Sequence, residues 1–231
     1  MTQPPAAEIQ ARLDAFLSTR LGTWPPSASL ELRSCELRDE ARWDGKIVPF
    51  LGIESPAGTV LTFSPTVFPN GEQLDPLQIE DELGTSDAYV TLPALFGHPD
   101  MHFGRGVFRY LGEFVDLPAV GEWCEADDPR LPDWLRPFNG GVLVCWAEDG
   151  SYAAGVGLKQ HNELGSEISV GTHPAYRGKG LAQALVAQSA RMVWENGGIP
   201  MYLHGTHNAA SARVAEKAGF PDRGWNIIEM G

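Results

Sequence analysis

The sequence predicts an α+β fold in layers: a mixed sheet flanked by helices, preceded by an α+β accessory domain. Three observations carry this expectation. Short strand-like runs recur along the chain with turn signals between them. Toward the C-terminus, strands alternate with two amphipathic segments. The 231 residues are 43% hydrophobic and 20% charged, a composition that can bury a core and that argues against wholesale disorder.

The elements follow in order. Ile9, Leu13, Phe16 and Leu17 fall at helical spacing in Ala7 to Leu21, and Gly22 stops the run. After the break at Trp24-Pro25-Pro26, strands are expected at Leu30 to Leu37, Lys46 to Ile53 and Thr59 to Phe63, with turns at Asp44-Gly45 and Pro56-Ala57-Gly58. Asp75 to Leu83 reads as a helix, and Phe96 to Gly106 gives mixed signals and no assignment. Beyond a boundary between Phe114 and Val120 the pattern becomes regular, which predicts domains at residues 1–117 and 118–231. Val120 to Cys124 is expected as a strand, and Asp127-Asp128-Pro129 opens a short helix through Leu135. Gly141 to Trp146 and Tyr152 to Lys159 form a hairpin about Glu148-Asp149-Gly150. A third strand at Ser166 to Thr172 precedes a helix at Leu181 to Glu195, closed by Gly197-Gly198. A strand at Pro200 to His204, a helix at Asn208 to Lys217 and a strand at Trp225 to Met230 complete the chain.

A formal net charge of −13 repels phosphate backbones, so no nucleic-acid partner is expected. Cys35, Cys124 and Cys145 show neither disulfide nor metal spacing, so no metal is expected. With no signal-peptide pattern and no membrane-length apolar run, a soluble, cytoplasmic protein is predicted.

Chemistry is concentrated at Arg177-Gly178-Lys179-Gly180-Leu181-Ala182, between a strand and a helix. Small residues there let successive backbone N–H groups converge, the helix N-terminus adds partial positive charge, and Arg177 and Lys179 add formal charge. That combination suits a diphosphate. A nucleoside-triphosphate loop is excluded by the absence of Gly-x-x-x-x-Gly-Lys-Ser/Thr, and the dinucleotide fingerprint by the missing third glycine.

The segment resembles the signature of the GNAT N-acetyltransferases, Arg/Gln-x-x-Gly-x-Gly/Ala, met by Arg177, Gly180 and Ala182. Glu167 to Tyr176 is similar to the strand before that signature. Asn208-Ala209-Ala210-Ser211 and Ala215-Glu216-Lys217-Ala218-Gly219-Phe220 are similar to the family's second helix. The resemblance covers roughly residues 118 to 231 and says little about substrate.

It implies a mixed, mostly antiparallel sheet flanked by helices, with acetyl-CoA as acyl donor held in a V between two splayed strands. Val170, Gly171 and Thr172 would line the pantetheine arm, Arg177 through Ala182 (with Gly178, Lys179, Gly180 and Leu181) the pyrophosphate. Asn208 and, less directly, Ser211 would meet the pantetheine or acyl end, although Asn208 also suits a helix N-cap. Glu167 matches the position of a catalytic base, with a structural ion pair as its alternative. His204 is a second base candidate that reads better as a structural histidine. The family often has a tyrosine acid where this chain has Ala215. Tyr176 and Tyr202 do not occupy that position, so the acid stays unassigned. The expected reaction is direct acyl transfer to an amine of a small molecule or peptide. The alternative is a catalytically inactive acyl-CoA sensor. The first half is expected to shape the acceptor pocket or a homodimer contact; a degenerate copy of the same fold is the other option, although no phosphate turn is visible there.

Overall fold

The computed structural model describes residues 2–231. It contains α1 (Ala6–Leu21), β1 (Leu30–Ser34), β2 (Phe50–Ser55), β3 (Gly58–Phe63), α2 (Pro76–Leu83), α3 (Ala88–Leu95), β4 (Phe103–Tyr110), β5 (Glu122–Cys124), β6 (Val142–Trp146), β7 (Tyr152–Asn162), β8 (Gly165–Thr172), α4 (Leu181–Glu195), β9 (Ile199–Gly205), α5 (Ala209–Lys217) and β10 (Asn226–Met230). The chain divides into two compact units: residues up to Phe16 with Arg109–Asp222, and Leu17–Phe108 with Arg223–Gly231. They interleave in sequence, unlike the single cut expected at 117/118. The reason is β10, which pairs antiparallel with both β2 and β4 and so ties the last residues to the first half of the chain.

In the unit built from Leu17–Phe108 and Arg223–Gly231, the strand order is β1-β3-β2-β10-β4, antiparallel except for β1 with β3. Phe50, Phe63, Phe68 and Phe96 fill its core with edge-to-face rings at 5.0 to 6.3 Å. The first expected strand stops at Ser34, and Glu36–Arg38 is a 3-10 turn that sends Arg38 inward to donate to the Arg20 carbonyl at 2.8 Å. The second begins only at Phe50, because Pro49 has no N–H to give a ladder. The unassigned stretch holds the start of β4, and just before it lies α3, unforeseen because AYVTLPAL is apolar nearly all round and contains Pro93.

Glu31 in this unit is 7% exposed and accepts from Ser27 N–H and Oγ, Thr23 Oγ1 and Arg33 Nε. Burial pushes its carboxyl up, but the hydrogen bonds from Ser27, Thr23 and Arg33 outweigh this and bring it down to about 2 from an ordinary 4.5. A depressed folded-state value stabilises the fold above the unfolded value, and that contribution is lost as pH falls. Chemical unfolding followed between pH 6 and 2 is expected to show stability declining from about pH 4.5 toward 2. Glu31→Gln is expected to flatten that slope and to lower stability at pH 7.

In the unit built from Arg109–Asp222, the strand order is β9-β8-β7-β6-β5, with β5 through β8 antiparallel and β8 parallel to β9. α4 spans the residues its periodicity predicts. Its buried face, including Leu185, Val186, Ser189 and Val193, joins Leu143, Val156, Leu158 and Ile168 of the sheet in one core. Ser189 fits there because its hydroxyl donates back to the Leu185 carbonyl at 2.9 Å. The start of α1 closes the other end of α4. Arg12 lies 3.6 Å from the Trp194 ring centroid and donates to the carbonyls of Trp194 and Gly198 at 2.7 and 3.3 Å, supplying cationic charge where the helix exposes its last carbonyls. The short helix expected after Asp127 is a 3-10 turn at Asp133–Leu135. Among the described residues, no helix is long and apolar enough to cross a membrane.

Candidate active site

The β7–β8 hairpin sets the frame. A tight turn at Glu163-Leu164, with Leu164 N–H donating to Asn162 Oδ1 at 2.9 Å, brings Lys159 opposite Glu167 and Val156 opposite Val170. On its other side β8 pairs with β9 only from Gly165 to Glu167, against Ile199 to Met201. Beyond that row β8 runs on to Thr172 and β9 to Gly205 without pairing to each other, so the two strands form a fork.

Backbone groups alternate sides along a strand. His173 N–H donates to the Ala153 carbonyl at 2.9 Å, and the Gly171 carbonyl accepts from Tyr152 Oη at 2.8 Å, so residues 171 and 173 face β7. Val170 and Thr172 therefore turn their N–H and C=O groups to the open edge of the fork. Gly171, expected among the donor contacts, does not: its backbone is turned away. Its lack of a side chain matters instead, because a Cβ there would lie 2.7 Å from the Trp134 indole. Gly155 and Gly157 likewise make room for Leu135 and Phe138, which close this face of the sheet.

At the end of β8, Pro174–Tyr176 makes one 3-10 turn, and Gly178 (φ 79°) and Gly180 (φ 81°) take left-handed conformations before α4. Among the described residues, no backbone carbonyl accepts from the amides of residues 178–183. A row of free N–H groups that includes Gly178, Lys179, Gly180, Leu181 and Ala182 thus stands at the helix N-terminus. Arg177 and Lys179 are exposed beside it, the latter with Nζ 4.9 Å from the Tyr176 ring centroid. Free donors, a helix dipole and two cations suit a diphosphate.

Glu167 sits in the last paired row of the fork and is 7% exposed. Lys159 Nζ donates to its Oε1 at 2.5 Å, and His161 Nε2 lies 3.3 Å from its Oε2. Burial pushes the carboxyl up, but the His161 hydrogen bond and the Lys159 charge prevail and hold it below the usual glutamate range. Lys159 and His161 are the site residues that sequence reasoning missed. Their signal was available, since Lys159 and Glu167 are equally distant from Glu163 at the hairpin tip.

Asn208 is the N-cap of α5, its Oδ1 accepting from Ser211 N–H at 3.0 Å. The Ser211 hydroxyl is 2.8 Å from that of Tyr202, which is buried and whose pKa burial raises. Ala215 is fully buried and brings no proton donor. His204 has no capacity left for base chemistry. Arg109 Nε donates to its Nε2 at 3.1 Å, which makes that nitrogen a lone-pair acceptor, and Nδ1 therefore carries the proton, given to the Gly205 carbonyl at 2.9 Å. Arg109 is 5% exposed and also binds Glu216, Asp222 and the Phe220 carbonyl at 2.9 to 3.1 Å. Arg109→Ala leaves His204 and that carbonyl short of a donor. It is expected to cost about 2–3 kcal/mol in urea unfolding, toward the low end for a buried ion because both carboxylates can be rehydrated.

The fork, the free amides and the buried carboxylate lie together on β8 and at its end, and residues 108–220 match the model of the acetyltransferase (GNAT) family. Over those residues the chain is similar to the GNAT acetyltransferases. It is similar to a mycothiol acetyltransferase of Nocardiopsis dassonvillei, 31% identical over 121 residues, which are 46% of this chain and 36% of that protein. The chain thus spans about a third of the length of that curated relative. Among solved structures, it is similar to a GCN5-related N-acetyltransferase from Kribbella flavida (18% identity, TM-score 0.44, covering 73% of this chain and 76% of that one). It is also similar to a GCN5-related N-acetyltransferase-like protein from Streptococcus suis (21% identity, TM-score 0.42, covering 61% and 66%).

Proposed function

We propose that this protein transfers an acetyl or similar acyl group from acyl-CoA to an amine by direct attack. The observation that carries the reading is the joining of two features on one strand: β8 parts from β9 just after Glu167, and it ends at a row of free amides. In this reading the amides of Gly178 to Ala182, with Arg177 and Lys179, bind the pyrophosphate. Val170 and Thr172 offer their open edge to the pantetheine arm. The thioester, on this reading, lies where the strands separate, near Glu167, whose carboxylate takes a proton from the acceptor amine directly or through water. Asn208 fixes the start of α5, and Ser211 holds the Tyr202 hydroxyl. In this reading the other unit, Leu17–Phe108 with Arg223–Gly231, acts as an accessory region to the catalytic one.

The test is thiol release from acetyl-CoA across a panel of α-amino acids, polyamines, aminoglycosides and peptide N-termini, with acetyl-CoA binding measured in parallel. Release with at least one amine supports the reading. Tight binding with no acyl transfer to any amine favours an acyl-CoA sensor instead.

A further inference from the structure

One strand away from the fork, on β7, stands an amine of the protein's own. Lys159, Glu167 and Met201 form one row across β7, β8 and β9, and it is the last row before the strands part. An acceptor amine for acyl transfer must reach hydrogen-bond distance of the base while lying beside the donor thioester. Lys159 Nζ already stands 2.5 Å from Glu167 Oε1, and its side chain keeps 28% of its surface exposed where that of Glu167 keeps 9%. The other carboxylate oxygen is engaged by His161, so Oε1 is the oxygen that already meets an amine, that of Lys159.

We propose that Lys159 is an acceptor in cis, acylated on Nζ by the protein's own active site. The proposal rests on the acyl-transfer reading above. Glu167 takes one proton from the Lys159 ammonium. The neutral Nζ bonds to the thioester carbonyl carbon, the carbon–sulfur bond breaks, and the coenzyme leaves as thiolate. The nitrogen sheds its second proton, the thiolate takes one up, and Glu167 returns the first to solvent. The sum is ammonium plus thioester giving amide, thiol and one released proton. The product amide carries no charge, so acylation also removes the cation that faces Glu167.

The sequence makes the test clean, because it has four lysines: Lys46, Lys159, Lys179 and Lys217. All but Lys159 are exposed. Uncatalysed acylation by a thioester favours exposed, unpaired amines, so it disfavours Lys159.

The full-length protein is incubated with isotopically labelled acetyl-CoA, and site occupancy is followed by peptide mass spectrometry. Lys159 is expected to label at least roughly tenfold faster than the other three lysines and to plateau near one acetyl per chain. Glu167→Gln and Gly180→Asp are expected to slow Lys159 labelling at least tenfold. Lys159→Arg, which keeps the ion pair without an acylatable amine, is expected to abolish thiol release when no external amine is present while leaving acetyl-CoA affinity intact. Labelling at Lys159 no faster than at the exposed lysines, or unaffected by both site variants, overturns the proposal. If external amines are acylated and Lys159 is not, acylation in cis fails and acyl transfer stands. If acetyl-CoA binds and neither is acylated, both fail.

Discussion

Gly180→Asp is expected to raise the dissociation constant for acetyl-CoA by about 100-fold, or about 2.7 kcal/mol, in calorimetric titration. Two causes act together. The aspartate places a negative charge at the N-terminus of α4, where free amides and the helix dipole would otherwise hold a diphosphate. A side chain at φ 81° also strains a turn that glycine adopts freely, by about 1–2 kcal/mol. Gly180→Asn separates the two causes, since it keeps the strain and omits the charge; its affinity loss is expected to be well under that of aspartate. Equal affinity of Gly180→Asp and wild type would place the donor site elsewhere.

Glu167→Gln is expected to lower kcat by about 10²–10⁴ with little change in KM for acetyl-CoA, because the amide cannot accept a proton while the proposed pyrophosphate turn at Gly178 to Ala182 is untouched. The pH profile adds a second signature. Hydrogen bonding from His161 and the charge of Lys159 overcome the effect of burial and keep the carboxyl ionised below the usual glutamate range. The acid limb of kcat/KM should accordingly lie below that range. Lys159→Met removes a charge that lowers the value, so the limb should move up. Any contribution of the same carboxylate to stability is present above its unfolded value and is lost as pH falls through its folded one. A glutamine variant with full kcat would remove Glu167 from the proton transfer and leave it as a buried ion-pair partner.

The fold class and the glycine turn before α4 were legible because both depend on local pattern. The strand at Ser166 to Thr172, the turn and the helix at Leu181 to Glu195 are contiguous, and their glycines, cations and apolar spacing speak for one another. The N-cap role of Asn208 was legible for the same reason. Less was legible where an element's own sequence is ambiguous: α3 is apolar nearly all round with a proline inside, and the segment before β2 has strand-like residues but ends in Pro49.

By itself, then, the sequence determined the strand–turn–helix that holds free amides at Gly178 to Ala182, since the conformations of two glycines and the start of a helix are set by residues within a few positions. Only the tertiary structure decided where β8 leaves β9, because strand pairing is a contest between segments some thirty residues apart. It alone bound His204 to Arg109, turned Gly171 from the fork and set Lys159 on Glu167. Each depends on which backbone edge or side chain arrives opposite, a matter of register across the sheet that no single stretch of chain encodes.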